Sequence, residues 1–546
     1  MLRIMAVALA VVVALSEASD YRSVIVGPID RDGVAGLVSE GFDLERFDHH
    51  YARFYVDDAQ LNRLRALGYS PMVEPVPEPL EPYPSLSEIF ASMDAVVSAH
   101  PDICRHEYIG TTVEGRDIRA VVVSDNVGQE EVEPELRIQS TIHGDEPVAA
   151  TTTMHFLETL TDHYPDSPTC QYVVDTAELW VIPVLNADGY VDGSRYNANG
   201  IDLNRNCSYM GPGGGGGSTA FSEPETQSLR DVTMKSWPEI ENFENNFATG
   251  LSLHSGAQCV NTVWNYTEDP LPEDYDLLEN QGESYIYDPE ILDYYEGDFI
   301  LWLPGASWYV TNGDVNDWSY GECGTVDYTI ELSHTKAPSN WPDYDHANYH
   351  AMLDFMVTSC YGIYGTVKNN LGNPLDARIE VSIPSDDGFD SQPLRFCRTD
   401  VTMGDYHKTL LPGTYDVKAT VDGYAPQTVE GVTLGAEERV EVSFVFGTGV
   451  PRSGAAMRGR GSRLAVYPNP ARSYCSITLP SQGVEGKLEI YDIYGRLIES
   501  VDVQSSVASV QWDCRNSTGS PLSPGAYLVR FRTDGESYST RLIVSD

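Results

Sequence analysis

The sequence predicts an α/β domain with a mixed, largely buried sheet flanked by helices, followed by two small all-β sandwich domains. Three observations predict it. Between residues 85 and 359, short apolar runs rich in β-branched residues (IRAVVVS, LRIQSTI, ELWVIPVLN, TGLSLHS) alternate with helical stretches such as VAATTTMHFLETLTDHY. That is the pattern of a sheet buried under helices. From 360 to 447, YGIYGTVKN, DARIEVSI, GTYDVKATV and ERVEVSFVF alternate on a period of two between Gly, Pro and Asn turns, as antiparallel sandwich strands do. From 465 to 546, short strands again recur between turns.

The segments follow in chain order. Residues 1–18 read as a signal peptide: one arginine, an apolar run of about a dozen residues and a small-residue exit near Ala18. Residues 19–80 form a small α+β unit, a pro-segment or accessory domain. Its strands are SVIVGPI and RFYVDD, and its helix DAQLNRLRALGY has Leu61, Leu64 and Leu67 as the apolar face. The stretch VEPVPEPLEPYP (73–84), with five prolines in twelve residues, reads as an extended linker. The catalytic candidate spans 81–359 and opens on the amphipathic helix LSEIFASMDAVVSAH. A sandwich at 360–447 follows. Residues 448–464, with four arginines and no acid, read as a flexible linker, and 465–546 as the last sandwich.

Composition excludes some functions. The chain of 546 residues has 34 basic against 82 acidic residues, a formal charge of −48. Such a field repels nucleic acid and anionic membranes. The N-terminal apolar run is too short to span a bilayer, and no later run reaches 18 apolar residues. An exported chain is permitted disulfides, but its nine cysteines are odd in number and none has CxxC spacing, so a cysteine metal site is not expected.

The sharpest local signal is TIHGDEPVAA (141–150). It predicts a strand ending at His143, a turn, and a helix starting near Pro147, a residue favoured at the first helical position. His143 and Glu146 stand three apart across that turn. Imidazole and carboxylate are zinc ligands, and a catalytic zinc site needs three protein ligands and an open position. By itself an HxxE pair is commonly a surface pair. A third ligand is offered by His254, at the end of the apolar strand in LSLHSGAQ; strand ends are where sites assemble in α/β sheets. SRYNANGIDLNRNC (194–207) brings Arg195, Asn204 and Arg205 into a Gly/Asn-rich loop. Arginines inside so acidic a protein suggest an anionic partner such as a carboxylate. Tyr309 lies in a Gly-bearing loop, and Glu331 interrupts an apolar strand, VDYTIELSHTK, facing away from Ile330 and Leu332. A buried acid is costly unless it is paired or functional.

The order HxxE, NGxDLNRN, FSEPET, LHS, Y-x7-DW, IEL resembles the zinc carboxypeptidase family over about residues 85–358. HGDE, NANGIDLNRN and ELSHTKAP look more like its regulatory branch (carboxypeptidases N, E and D) than its digestive one. The resemblance implies a Zn2+ cofactor held by His143, Glu146 and His254. It also implies Glu331 as general base and acid, and Arg195 polarising the scissile carbonyl. Asn204 and Arg205 become the clamp on a peptide's terminal carboxylate, Tyr309 the closing tyrosine, and Asn316 the base of the first side-chain pocket. Asp145 stands where digestive members carry a substrate-contacting arginine, and Glu268 and Asp269 are candidates for recognising a basic side chain. The run of five glycines at 213–217, foreign to the pattern, is expected to be a flexible rim loop. The branch carries a transthyretin-like sandwich after its catalytic domain, and 360–447 fits one. VYPNP, LEIYDIYGRLI and SPGAYLVRF resemble type IX secretion sorting domains or FlgD-like Ig modules, implying a bacterial extracellular enzyme engaged by secretion machinery. Its substrates would be peptide or protein C-termini. Two rival readings stand beside it: a non-catalytic peptide- or glycan-binding surface protein on a peptidase scaffold, and a zinc amidohydrolase acting on cell-wall peptides.

Overall fold

A computed structural model describes residues 22–447, apart from 49, 74–81, 235–246, 296–301, 385–390 and 401, and most of the strand residues between 465 and 544. The signal peptide, the linker at 448–464 and most of the proline-rich linker lie outside the described residues. The chain divides into two compact units, Met1–Gly449 and Val450–Asp546.

The first unit begins with a four-stranded sheet. Its strands are β1 (Arg22–Val26), β2 (Asp43–Asp48), β3 (Tyr51–Val56) and β4 (Met72–Val73), in the order β2-β3-β1-β4. Two helices, Arg31–Ser39 and Asp58–Ala66, cover it. Leu61 and Leu64 are buried as expected, but Leu67 is 46% exposed. The helix ends before it: the capping box of Asp57 and Gln60 sets the start, and Leu67 is the C-cap.

An eight-stranded mixed sheet forms the centre. Its strands are β5 (Cys104–Thr111), β6 (Asp117–Val123), β7 (Glu135–Ser140), β8 (Glu178–Ile182), β9 (Phe247–His254), β10 (Gln258–Thr262), β11 (Trp302–Pro304) and β12 (Val326–Leu332). They run in the order β11-β10-β12-β9-β7-β8-β6-β5. The middle strands β12, β9, β7 and β8 are parallel neighbours, so their carboxyl ends lie together. Every residue of β7 and β9 is buried, which only a sheet covered on both faces allows. On one face Leu136, Ile138, Leu251, Leu253 and Ile330 pack in one core with the helices Leu86–Ala99, Pro147–His163 and Trp341–Ser359. The opposite face is partly polar. There the fully buried Arg137 of β7 pairs with Asp327 of β12 across β9 and also donates to Thr233 Oγ1 at 2.8 Å. A buried ion pair is tolerated when further hydrogen bonds complete it.

The chain then forms two small sheets with a shared core that includes Ile363, Ile379, Val417 and Phe444. One is built on Gly362–Asn369 and Asp405–Thr409, the other on Ala377–Ile383, Gly413–Val421 and Gln427–Leu434. Lys408 reaches from this sandwich to Asp274 of the α/β part at 2.9 Å, with both side chains buried. The second unit has two antiparallel sheets around Ile477, Leu488, Val529 and Phe531. All nine cysteines are buried.

A cavity on the seam between the α/β part and the sandwich is lined by Glu133, Glu178, Arg398, Asp405 and His407. Burial, and then the charge of Glu178, push the Glu133 carboxyl up to about 8, against the hydrogen bond from Ser124. The unfolded chain releases this proton near about 4.3. Between those two values the folded chain binds more protons, so this group lowers stability as pH rises. Glu133→Gln is therefore expected to raise Tm above the parent at pH 9 and to leave it unchanged near pH 4, as read by calorimetry; an equal shift at both pH values would contradict this.

Candidate active site

β7 stops at Ser140, three residues earlier than the sequence suggests. The hydroxyls of Ser140 and Thr141 both donate to Pro183 O, at 2.5 and 2.8 Å, and Thr141 takes a left-handed φ of 56° that leaves the ladder. The turn that follows carries His143 to Glu146. A Cβ on Gly144 would overlap the backbone of Gly189, so only glycine lets the turn pack there. Pro147 then starts the helix Pro147–His163, as expected.

His143, Glu146 and His254 meet at the carboxyl ends of β7 and β9. Their donor atoms lie within 4.8 Å of one another, and this is the only such cluster among the described residues. Glu146 sits between the rings: its Oε1 is 2.8 Å from His143 Nδ1 and its Oε2 is 3.0 Å from His254 Nδ1. All three are at most 3% exposed. Burial opposes ionisation of Glu146, yet the two imidazoles outweigh it and hold the carboxyl well below its usual range. Two imidazole nitrogens and one carboxylate fit Zn2+, whereas Ca2+ and Mg2+ prefer all-oxygen shells. No thiol joins the cluster.

The remaining candidates line the same cavity: Arg195, Asn204, Arg205, Tyr309, Asn316 and Glu331. Glu331 is paired in register with His254 across β12 and β9, which sets its carboxylate beside the cluster. Ile330 and Leu332 point into the core, as the alternation requires. Arg195 donates to Asp202 through Nε at 3.0 Å and Nη2 at 2.9 Å, leaving Nη1 3.3 Å from His143 Nδ1. Arg205 makes no ion pair with the described residues; its Nη1 donates to the Asn204 carbonyl at 2.7 Å. Asn204 Oδ1 accepts from Val315 N at 3.0 Å. Tyr309 packs against the core of the N-terminal sheet, and Leu44 of β2 lines the cavity.

Three features differ from the sequence reading. The glycines at 213–217 are not a loose rim: Gly213 N donates to Arg205 O at 2.8 Å, Gly215 O accepts from Asp202 N at 2.9 Å, and a Cβ on Gly216 would overlap Arg205 O. They brace the arginine loop from below. Asp145 faces no open position, because the buried Lys336 ammonium sits 3.0 Å from its Oδ2 and 3.7 Å from Glu146 Oε1. Glu268 and Asp269 are exposed and do not line the cavity.

Sequence reasoning passed over Asp202. Its Oδ1 lies 3.3 Å from His143 Nε2, so one carboxylate orients both the imidazole and Arg195. Burial opposes its charge, but Arg195 and then His143 hold its carboxyl well below the ordinary range. The signal was an acid between the apolar Ile201 and Leu203.

Residues 89–350 match the family model described as zinc carboxypeptidase, and 465–545 match that of a secretion system C-terminal sorting domain. Carboxypeptidase SOL1 of Arabidopsis thaliana is 28% identical over 401 residues, covering 70% of this chain and 72% of that protein. The human carboxypeptidase N catalytic chain is 28% identical over 421 residues, covering 67% of this chain and 87% of that protein. Mouse carboxypeptidase D is 27% identical over 417 residues, and the match spans only 28% of its length. Among solved structures, thrombin-activatable fibrinolysis inhibitor matches with a TM-score of 0.50 at 17% identity, covering 61% of this chain and 97% of that one. The Helicoverpa armigera carboxypeptidase A matches with a TM-score of 0.51 at 18% identity, covering 63% and 98%. These two establish the α/β fold.

Asp202→Asn is expected to weaken zinc binding by about 10–100-fold while the fold persists, and His254→Ala to weaken it further. Competition against a chromophoric chelator measures both, and unchanged affinity in Asp202→Asn would contradict the orienting role.

Proposed function

We propose, from the match of residues 89–350 to the zinc carboxypeptidase family model, that the chain is a secreted bacterial metallocarboxypeptidase. It hydrolyses the C-terminal peptide bond of peptides and proteins. The observation that carries this reading is that Arg205, a guanidinium without a carboxylate partner among the described residues, opens into the same cavity as Glu331 and the His143–Glu146–His254 cluster.

The residues divide the work by position. Arg205 takes the substrate's terminal carboxylate through two parallel N–H donors, and Asn204 supplies a further amide. That grip fixes how far the scissile bond lies from the chain end, which makes the reaction exopeptidic. Arg195 donates to the scissile carbonyl oxygen as negative charge develops there. Glu331 accepts the proton of the attacking water on its carboxylate and returns it to the leaving amine. Tyr309 covers the bound residue. Bound Zn2+, held by His143, Glu146 and His254, supplies Lewis acidity for the carbonyl and lowers the pKa of water.

Glu331→Gln is expected to lower kcat by at least about 10²-fold with one zinc per chain retained. Arg205→Ala is expected to lower kcat/KM on free C-termini, and neither parent nor variant is expected to cleave peptides with amidated C-termini, as followed by release of the last residue with and without chelator. A zinc-loaded parent chain that releases no residue would favour the binding-protein reading. Full activity of Arg205→Ala on blocked C-termini would favour the amidohydrolase.

The N-terminal unit acts as a shield over this cavity. Supporting this, Leu44 lines the cavity, Tyr309 packs on the unit's core, and the Lys336 ammonium lies 4.8 Å from the Tyr55 ring. A substrate must displace these contacts. A protease site inserted within 74–81 is expected, once cut, to raise kcat/KM toward small peptides; equal activity before and after cutting would make the unit a simple accessory. The C-terminal unit, matched to a sorting domain, serves export and surface attachment or release.

A further inference from the structure

Beyond Glu331 the cavity is walled by amides. Asn261 of β10 stands in register beside Thr329 of β12, and Asn265 follows it by four residues. Asn316 comes from the short helix Val315–Trp318. All four line the cavity and are at most 8% exposed. The Gly305 backbone closes over two of them: a Cβ there would overlap Asn265 Oδ1 and lie 2.9 Å from Asn261 Nδ2.

Asn316 is the informative residue. Its Oδ1 accepts from Thr329 Oγ1 at 3.0 Å. Its Nδ2 is buried without a hydrogen-bond partner. A buried donor of this kind costs free energy until an acceptor arrives.

Nearby carboxylates are already committed. Asp314 accepts from Asn265 Nδ2 at 3.0 Å, from Asp317 N at 2.9 Å and from Thr311 Oγ1 at 3.1 Å. Asp317 accepts from the backbone N–H groups of Asn265 and Tyr266, at 2.9 and 3.0 Å. Burial pushes both carboxyls upward. A lysine or arginine side chain finds no open carboxylate in this part of the cavity among the described residues. A leucine or phenylalanine would seal the Asn316 amide away from any acceptor.

We infer that this pocket selects a C-terminal residue with an uncharged amide side chain, glutamine or asparagine. The substrate carbonyl accepts from Asn316 Nδ2, and its NH2 donates to the oxygen of a neighbouring amide such as Asn261. The inference rests on the carboxypeptidase reading and names the substrate class of that same site. A pocket built to hydrogen-bond a polar group discriminates strongly against residues that leave its groups unpaired.

The test is a set of peptides identical except for the last residue, assayed on the zinc-loaded full chain with its N-terminal unit cut as above. Glutamine and asparagine are expected to exceed lysine, arginine, leucine and phenylalanine in kcat/KM by at least about tenfold. Asn316→Asp is expected to move the preference to lysine and arginine, and Asn316→Leu to leucine and phenylalanine. A parent preference for basic or large apolar residues would overturn this inference and leave the carboxypeptidase reading intact. A zinc-loaded chain that releases no C-terminal residue would overturn both.

Discussion

One carboxylate held between two imidazoles organises the rest. Glu146 faces His143 Nδ1 on one side and His254 Nδ1 on the other, and neither contact is local to one secondary element. The first depends on a three-residue turn that only Gly144 lets settle against Gly189. The second depends on β9 lying parallel and adjacent to β7, so that both strands end at the same edge. β12 joins that edge as the next parallel neighbour, and its register delivers Glu331 beside His254. Burial makes the arrangement demanding. Two imidazoles and an ionised carboxylate are costly in a dry site unless they compensate one another or share a cation.

Around this cluster the charges are paired in a graded way. Asp202 ties His143 and Arg195 together, so the first arginine is oriented and partly neutralised. Lys336 and Asp145 neutralise each other behind Glu146. Arg205, carried on a loop braced by the glycines at 213–217, has no such partner among the described residues and opens to the cavity. A chain of net charge −48 thus keeps a cationic spot at this cavity. Past it the wall changes from charged to amide-lined.

What the sequence made legible follows from local rules. His143 and Glu146 were readable because a strand-turn-helix with Pro147 at its start has few geometries. Glu331 stood out because an acid broke the alternation of Ile330 and Leu332. The family resemblance then linked His254 and the arginines, which spacing alone does not do. What stayed hidden depends on long-range packing. Nothing near Lys336 says that its ammonium lies against Asp145, 191 residues away. Five glycines look flexible until Arg205 and Asp202 occupy their backbone hydrogen bonds. Leu67, apolar like Leu61 and Leu64, is exposed as the C-cap of a helix that ends at Ala66. The outer strands β5, β10 and β11 are short or weakly patterned and take their place from the sheet rather than from their own sequence.

The central claim is that two imidazoles and one carboxylate surround one zinc ion. X-ray absorption at the zinc edge of the metal-loaded chain tests it most directly. The account predicts a first shell of nitrogen and oxygen only, with outer-shell scattering from two imidazole rings and none from sulfur. A sulfur shell, drawing on any of the nine cysteines, or scattering from fewer than two imidazoles would contradict it.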